Sequence, residues 1–363
     1  MSFVCPSIQN LGYGAFSELF HTRASQQRIP INGSIELTMR CNLRCAHCYV
    51  PLNQRMARGI NELTLNEFKR IFSEIAEAGC LWLLFTGGEP LLRPDFTDIY
   101  MDAKARGFII SLFTNATMMN DTTADFLAEM RPFSIEVSIY GATEKTYEQV
   151  TGIPGSFRKC LRGVEMLLNR GLPVQLKSVL LTINRHERVE MEQLSKHYGL
   201  EFRYDPVISA ALDGDLYPTK FRLSPEEIIE IEIQDEYRAA AWPKEFDAMH
   251  EQEINVPSMY TCGAGRVSFH IDAFGKLSLC LSARQPSYDL RTGNFKTGWE
   301  EFIPQVLDLE YPKGFECIGC ELRTICAQCP AMGITEMGDP LRVVPFLCQL
   351  AKLRHKAFDS ITK

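Results

Sequence analysis

The chain has no excess of positive charge: 38 Lys and Arg stand against 45 Asp and Glu, a formal net charge of −7. That balance excludes the basic footprint by which proteins hold nucleic acid or an anionic membrane surface. Long apolar runs are missing too. The longest, Leu81 to Phe85 and Phe108 to Phe113, are strand-sized, far short of the ~18 residues a membrane helix needs. The N-terminus, MSFVCPSIQNLGYGAF, has no basic start followed by an apolar stretch, so it is not a secretory signal. Internal repeats and low-complexity segments are absent. These absences predict a cytoplasmic protein with neither nucleic-acid nor membrane partners. With 45% apolar and 23% charged residues, the chain can bury a large core, and disorder, collagen and coiled coil are excluded. What is there in surplus is cysteine: 13 residues, an odd number. In a reducing compartment, clustered cysteine reads as metal or redox chemistry rather than as a disulfide framework.

From about residue 33 to 208, short β-rich runs alternate with longer amphipathic segments. The pattern predicts strands at Ser34 to Thr38, Leu81 to Thr86, Phe108 to Thr114, Ile135 to Ile139, Val174 to Ile183 and Glu201 to Tyr204. Helices are predicted at Leu65 to Ala78, with Leu65, Phe68, Ile71, Phe72 and Ile75 on one face, and at Phe96 to Ala105. Such alternation implies an α/β fold with a parallel sheet curled into a full or partial barrel, its chemistry at the C-terminal strand ends. After Asp205 the pattern breaks into a Pro- and Gly-containing loop, then a helix capped by Ser224 and Glu227. Further on, Arg266 to Asp272 and Lys276 to Leu281 read as a hairpin, followed by an irregular stretch rich in Cys, Gly and Pro that needs cross-links or metals to hold it. The expected layout is an N-terminal arm (1–32), a barrel (33–208), a helical linker (209–257), a small cysteine-bearing domain (258–349) and a C-terminal helix (350–363).

Cys41, Cys45 and Cys48 lie directly after the first predicted strand, in MRCNLRCAHCYV. Three thiolates so spaced can hold an iron–sulfur cube and leave one iron open for a bidentate ligand such as an amino acid's amine and carboxylate. The alternative is a structural zinc site, with His47 or a distant residue as fourth ligand. After the second strand comes Thr86, Gly87, Gly88, Glu89 and Pro90. The two Gly let backbone approach a ligand and Glu89 can pair with an ammonium, although GGEP alone could be a strand-terminating turn.

With these motifs, residues 33 to 208 resemble the radical S-adenosylmethionine (radical SAM) superfamily, whose signature is this CxxxCxxC spacing followed by a GGE-type motif. The resemblance implies a partial (β/α)6 TIM-like barrel in which Thr86, Gly87, Gly88 and Glu89 meet the methionine amine. It makes Asn115 a third-strand polar contact, Ser138 a fourth-strand contact to ribose or carboxylate, and Lys177 a partner for the methionine carboxylate. His47 takes the family's position beside the adenine, where its backbone matters more than its imidazole. Asn115, Ser138 and Lys177 are equally readable as solvated strand ends or turn formers. The implied reaction is reductive cleavage of S-adenosylmethionine to a 5′-deoxyadenosyl radical that abstracts a substrate hydrogen.

The remaining cysteines in pattern are Cys262, Cys280, Cys317, Cys320, Cys326, Cys329 and Cys348, with Gly275 five residues before Cys280. The pairs CIGC and CAQC stand only five residues apart, where a zinc ribbon usually has ~15–20, so zinc fits poorly. This set resembles the SPASM domain, an irregular iron–sulfur extension with a β-hairpin, departing only in the two-residue spacing of Cys326 and Cys329. The resemblance implies three 4Fe-4S clusters in all. Cys317, Cys320, Cys326 and Cys348 would hold the distal auxiliary cluster, and Cys262, Cys280 and Cys329 the nearer one, one ligand short. His270 and Asp272 are the nearest polar candidates for that gap, and Cys5 another should the arm fold back. Cys80 and Cys160 read as core.

Among SPASM enzymes most act on a ribosomally made peptide or protein, forming a crosslink or thioether, epimerising or oxidising; a minority act on aminocyclitols or tetrapyrrole side chains. Seven cysteines argue against the sulfatase-oxidising type. With 40 residues before Cys41, too few to fold alone, leader recognition is expected from a separate leader-peptide-binding protein or the barrel surface. A flavodoxin- or ferredoxin-type electron donor is implied. Tyr204 and Asp205 end the sixth strand facing the expected mouth; Asp205 is a candidate substrate-binding or proton-accepting group, or else a turn former. A non-catalytic iron–sulfur electron carrier is the competing class, and an electron carrier has no use for GGEP.

Overall fold

The computed structural model describes residues 13–56, 61–242, 257–323 and 325–359, so Cys5 lies outside the described residues. Six strands alternate with helices: β1 (Asn32–Thr38), β2 (Trp82–Gly87), β3 (Ile109–Thr114), β4 (Ser134–Ser138), β5 (Val174–Val179) and β6 (Phe202–Asp205). Each pairs in parallel with the next. The helices are α1 (Tyr13–Gln27), α2 (Leu52–Met56), α3 (Leu65–Glu77), α4 (Phe96–Ala105), α5 (Asp121–Glu129), α6 (Glu144–Thr151), α7 (Ser156–Leu168), α8 (Arg188–His197) and α9 (Pro225–Gln234).

Helix α3 begins at a capping box between Thr64 and Glu67 and buries Phe68, Ile71, Phe72 and Ile75 against the sheet. On the helix side of the strands Ile35, Leu37, Leu83, Phe85, Ile110, Leu112, Ile135, Val137 and Leu176 are buried. Strand alternation therefore sends Ser34, Glu36, Ser111, Glu136, Ser138 and Lys177 to the inner face of the barrel. A polar interior flanked by an apolar outer layer is how a partial barrel (β/α)6 keeps room for chemistry.

The long fifth run ends early, at Val179. Asn184 breaks it: its side chain accepts from Leu181 N and donates to the Tyr140 and Val179 carbonyls, turning the chain. The hairpin is β7 (Ser268–Ile271) and β8 (Lys276–Ser278), and its turn is held by Asp272 Oδ1 accepting from Phe274 N and Lys276 N, with Gly275 at φ +85°. Strand β7 pairs in parallel with β1, from Asn32↔Ser268 to Ile35↔Ile271. With β9 (Tyr288–Asp289), the sheet runs β6-β5-β4-β3-β2-β1-β7-β8-β9, and the hairpin thereby extends the barrel sheet.

Helix α9 has the expected Ser224 and Glu227 capping box. It carries Glu232, wholly buried and held by Arg354 of the C-terminal helix at 2.7 and 3.0 Å. That last helix spans Pro345–Asp359 and starts earlier than expected, since proline is suited to a first helical position. Cys348 consequently lies in its first turn.

Candidate active site

The loop after β1 carries Cys41, Cys45 and Cys48 and is pinned from three sides. Thr38 Oγ1 and Met39 N both donate to Glu62, Arg44 N and Ala46 N donate to the carbonyls of Thr151 and Val150 at the end of α6, and Arg55 donates to Cys45 O. The three thiols sit within electrostatic reach of one another. Burial pushes Cys41 up to about 12, with Glu89 adding to the effect, and holds Cys45 and Cys48 above the ordinary thiol range as well. Buried thiolates that repel one another can coexist only around a cationic centre, which is the demand an iron–sulfur core meets. The donor set fits that group.

Gly87 and Gly88 are fixed by the approach of this loop to β2. A Cβ on Gly88 would fall 2.0 Å from Arg40 O, and one on Gly87, at φ +129°, 2.2 Å from Thr38 O. Backbone bonds run across the seam, Gly88 N to Thr38 O at 2.7 Å and Glu89 N to Arg40 O at 2.8 Å. Thr86 stands opposite Glu36 in the same register. Glu89, expected to meet an ammonium, follows at the end of this seam. Its carboxylate is wholly buried and already accepts from Thr114 Oγ1 and Asn115 N at 2.7 Å and from Leu91 N at 3.1 Å, so it ties β2 to β3. Desolvation raises its pKa to about 7 against those hydrogen bonds.

Asn115 is buried and turned toward the cysteine loop, its amide 3.8 Å from Cys41 Sγ and 3.0 Å from Asn42 Oδ1. Asn42 in turn donates to Thr117 at 2.6 Å. Asn42 and Thr117 are members of this network that sequence reading missed; Thr114, Asn115 and Thr117 clustered within four residues at the strand end were the available signal. Ser138 ends β4, and its carbonyl faces the Cys160 thiol at 3.8 Å. Lys177 is held over the Phe113 ring and 3.7 Å from Glu136, with burial drawing its pKa well down. His47 packs edge-on to Tyr140, its ring buried, its Nδ1 without a hydrogen-bond partner and its pKa lowered by burial to about 4.

A cavity of about 240 Å³ opens beside this loop. His47 and Tyr49 form one side, Val179 and Asp205 the strand ends, and Leu281, Ser282, Ala331 and Met332 the far side. Asp205 is exposed to it, with Oδ1 accepting from Val207 N at 2.9 Å. Tyr204 is not at the mouth: alternation turns it away, its hydroxyl bonding Asp235 at 2.6 Å.

Seven of the other cysteines gather in two groups. Cys317, Cys320, Cys326 and Cys348 act on one another and line a second cavity with Gln328 and Lys352. Cys262, Cys280 and Cys329 form the other, Cys262 being exposed. Burial raises Cys317, Cys326 and Cys329 to about 11. Among the described residues, no three His, Cys, Asp or Glu converge on the geometry of a single metal ion. His270 and Asp272, the candidates for the missing ligand, lie on the hairpin: His270 is buried with Nδ1 2.8 Å from Ser34 Oγ and Nε2 3.8 Å from Glu36, and Asp272 holds the turn. Cys80 and Cys160 are buried core residues.

Residues 35–195 match the model of the Radical SAM superfamily. It is 29% identical over 331 residues to the AdoMet-dependent heme synthase of Methanosarcina barkeri, covering 86% of this chain and 94% of that one. Over 167 residues it is 30% identical to the PqqA peptide cyclase of Bradyrhizobium diazoefficiens, 46% of this chain and 43% of that one. The crystal structure of Streptococcus suis SuiB bound to precursor peptide SuiA superposes with a TM-score of 0.66, over 96% of this chain and 84% of that one at 17% identity, a likeness of fold. Among the described residues no helix is long and apolar enough to cross a membrane.

Proposed function

We propose that the protein reductively cleaves S-adenosylmethionine at Cys41, Cys45 and Cys48 and uses the radical to modify a ribosomally made peptide, by crosslink, thioether, epimerisation or oxidation. The observation that carries this reading is the cavity. Its walls are the residues flanking Cys48 on one side and those following Cys280 and Cys329 on the other. A substrate lodged there would lie between the neighbours of both cysteine groups.

Cys41, Cys45 and Cys48 would hold the first cluster, which would supply the electron for reductive cleavage of S-adenosylmethionine. Around it, Gly87 and Gly88 hold the β2 end against the cysteine loop, and Asn115 points an amide at the Cys41 sulfur. Val179, Ile208, Leu212 and Leu281 give the cavity its apolar lining. Asp205 keeps one carboxylate oxygen for substrate or for its proton. Cys317, Cys320, Cys326 and Cys348 are assigned to a complete auxiliary cluster, and Cys262, Cys280 and Cys329 to one that is a ligand short. A flavodoxin- or ferredoxin-type donor and a separate leader-binding protein are the expected partners.

The PqqA cyclase and the SuiB–SuiA complex favour a peptide. The heme synthase, matched over nearly its whole length, favours a second reading, oxidation of a tetrapyrrole side chain. Anaerobic reconstitution and iron counting test the cluster assignment. About 12 irons are expected, falling by about four when any one cysteine group is changed to Ala; an unchanged count in the Cys262, Cys280 and Cys329 variant would remove that cluster.

A further inference from the structure

One ion pair is sealed inside the barrel. Glu36 is wholly buried on β1, just ahead of the first cysteine loop, and Arg284 grips both its oxygens at 2.6 and 2.8 Å. Arg284 Nε donates to Leu281 O at 2.9 Å in the turn after Cys280, and Ala283 N of that turn donates to Cys280 Sγ at 3.3 Å. His270 closes a third side, Nε2 3.8 Å from Glu36 and Nδ1 2.8 Å from Ser34 Oγ. Taking such a pair out of water costs several kcal/mol, and an apolar pair of the same shape often holds a fold as well. Its placement is explained by where the charges lie: Glu36 stands on the strand that runs into the first cysteine loop, and the Arg284 guanidinium lies between that carboxylate and the Leu281 carbonyl of the turn after Cys280.

We propose that Glu36 and Arg284 are electrostatic positioning residues that separate the reduction potentials of the cluster at Cys41, Cys45 and Cys48 from that of the cluster at Cys262, Cys280 and Cys329. This rests on the reading that both groups hold clusters. Reduction adds negative charge, so the fixed carboxylate on the first side opposes it and the fixed guanidinium on the Cys280 side favours it. An electron shared between the two rests on the Cys280 side, one cluster being oxidised by one electron as the other is reduced by one, with no proton moved.

The test is an EPR-monitored redox titration of the full-length, anaerobically reconstituted protein, the first cluster being recognised by the change in its signal on adding S-adenosylmethionine. In Glu36→Gln with Arg284→Met the two midpoint potentials should draw together, the first rising and the second falling, at unchanged iron content. Arg284→Lys, which keeps the charge and loses the fork, should keep the wild-type separation. Should the double variant fail to fold, Glu36→Gln alone is read, with the first potential rising. Potentials unmoved at full iron content would overturn this inference alone, as would narrowing in Arg284→Lys. A wild-type chain that binds no iron at either group would overturn the cluster reading and this inference with it.

Discussion

Replacing Gly88 by Ala tests the seam that joins the cysteine loop to β2. The new Cβ would stand 2.0 Å from Arg40 O, 2.5 Å from Arg40 C and 2.6 Å from Met39 O, all backbone atoms with no rotamer to escape into. Relief requires the two segments to part by at least about 1 Å. The bonds Gly88 N to Thr38 O and Glu89 N to Arg40 O, at 2.7 and 2.8 Å, do not survive such a step. Two lost backbone bonds at about 1 kcal/mol each, with about 1–3 kcal/mol of overpacking, give a local cost of about 3–5 kcal/mol. Native-state hydrogen exchange reads this directly: the amides at positions 88 and 89 should exchange about 10²- to 10⁴-fold faster. Deoxyadenosine formation should fall with them. Gly107→Ala is the control, since its φ of +90° is strained but no atom lies within 4 Å of a Cβ there; it should cost about 1 kcal/mol, remote from the site. Unchanged protection at 88 and 89 in Gly88→Ala, with full S-adenosylmethionine cleavage, would refute the reasoning.

Three further outcomes follow from the same geometry. Burial acts to raise the Glu36 pKa, but His270 and Arg284 bring it down to about 2; a lowered folded-state value stabilises above the unfolded value and is lost as pH falls through about 2, a contribution of about 3 kcal/mol. Acid unfolding of Glu36→Gln followed by near-ultraviolet circular dichroism should lack that slope, and an identical acid limb would contradict it. Asp205→Asn can still accept from Val207 N, so S-adenosylmethionine cleavage should remain normal while modified substrate, measured by mass spectrometry, is lost; undiminished product would dismiss Asp205. Cys160→Ala, in the core, should lower stability by about 1–2 kcal/mol and leave the iron count as it was, and any loss of iron would reassign that thiol.

Much of the barrel was legible because its strands alternate. Ile35, Leu37, Leu83 and Phe85 mark one face, and Thr64 with Glu67 marks the start of α3. The spacing of Cys41, Cys45 and Cys48 was equally direct, since three thiols within eight residues have few places to go. What was hidden depends on partners far apart in sequence. Glu36 meets Arg284 across 248 positions, and a single charge inside a strand pattern carries no sign of its counter-ion. The Thr114 and Asn115 donors to the Glu89 carboxylate were hidden as well, because GGE names a residue without its partners. Tyr204 was misplaced by one residue of alternation, enough to exchange the mouth for Asp235. The pairing of β7 with β1 was likewise silent, because a hairpin's sequence fixes its turn and leaves its outer neighbour open.

The central claim is that Cys41, Cys45 and Cys48 form the place where S-adenosylmethionine is cleaved. Reconstituted anaerobically and given S-adenosylmethionine and dithionite, the wild-type chain should produce 5′-deoxyadenosine. Changing those three cysteines to Ala should abolish it while the auxiliary irons stay bound. Deoxyadenosine persisting in that variant, or absent from a wild-type chain carrying all its iron, would contradict the account.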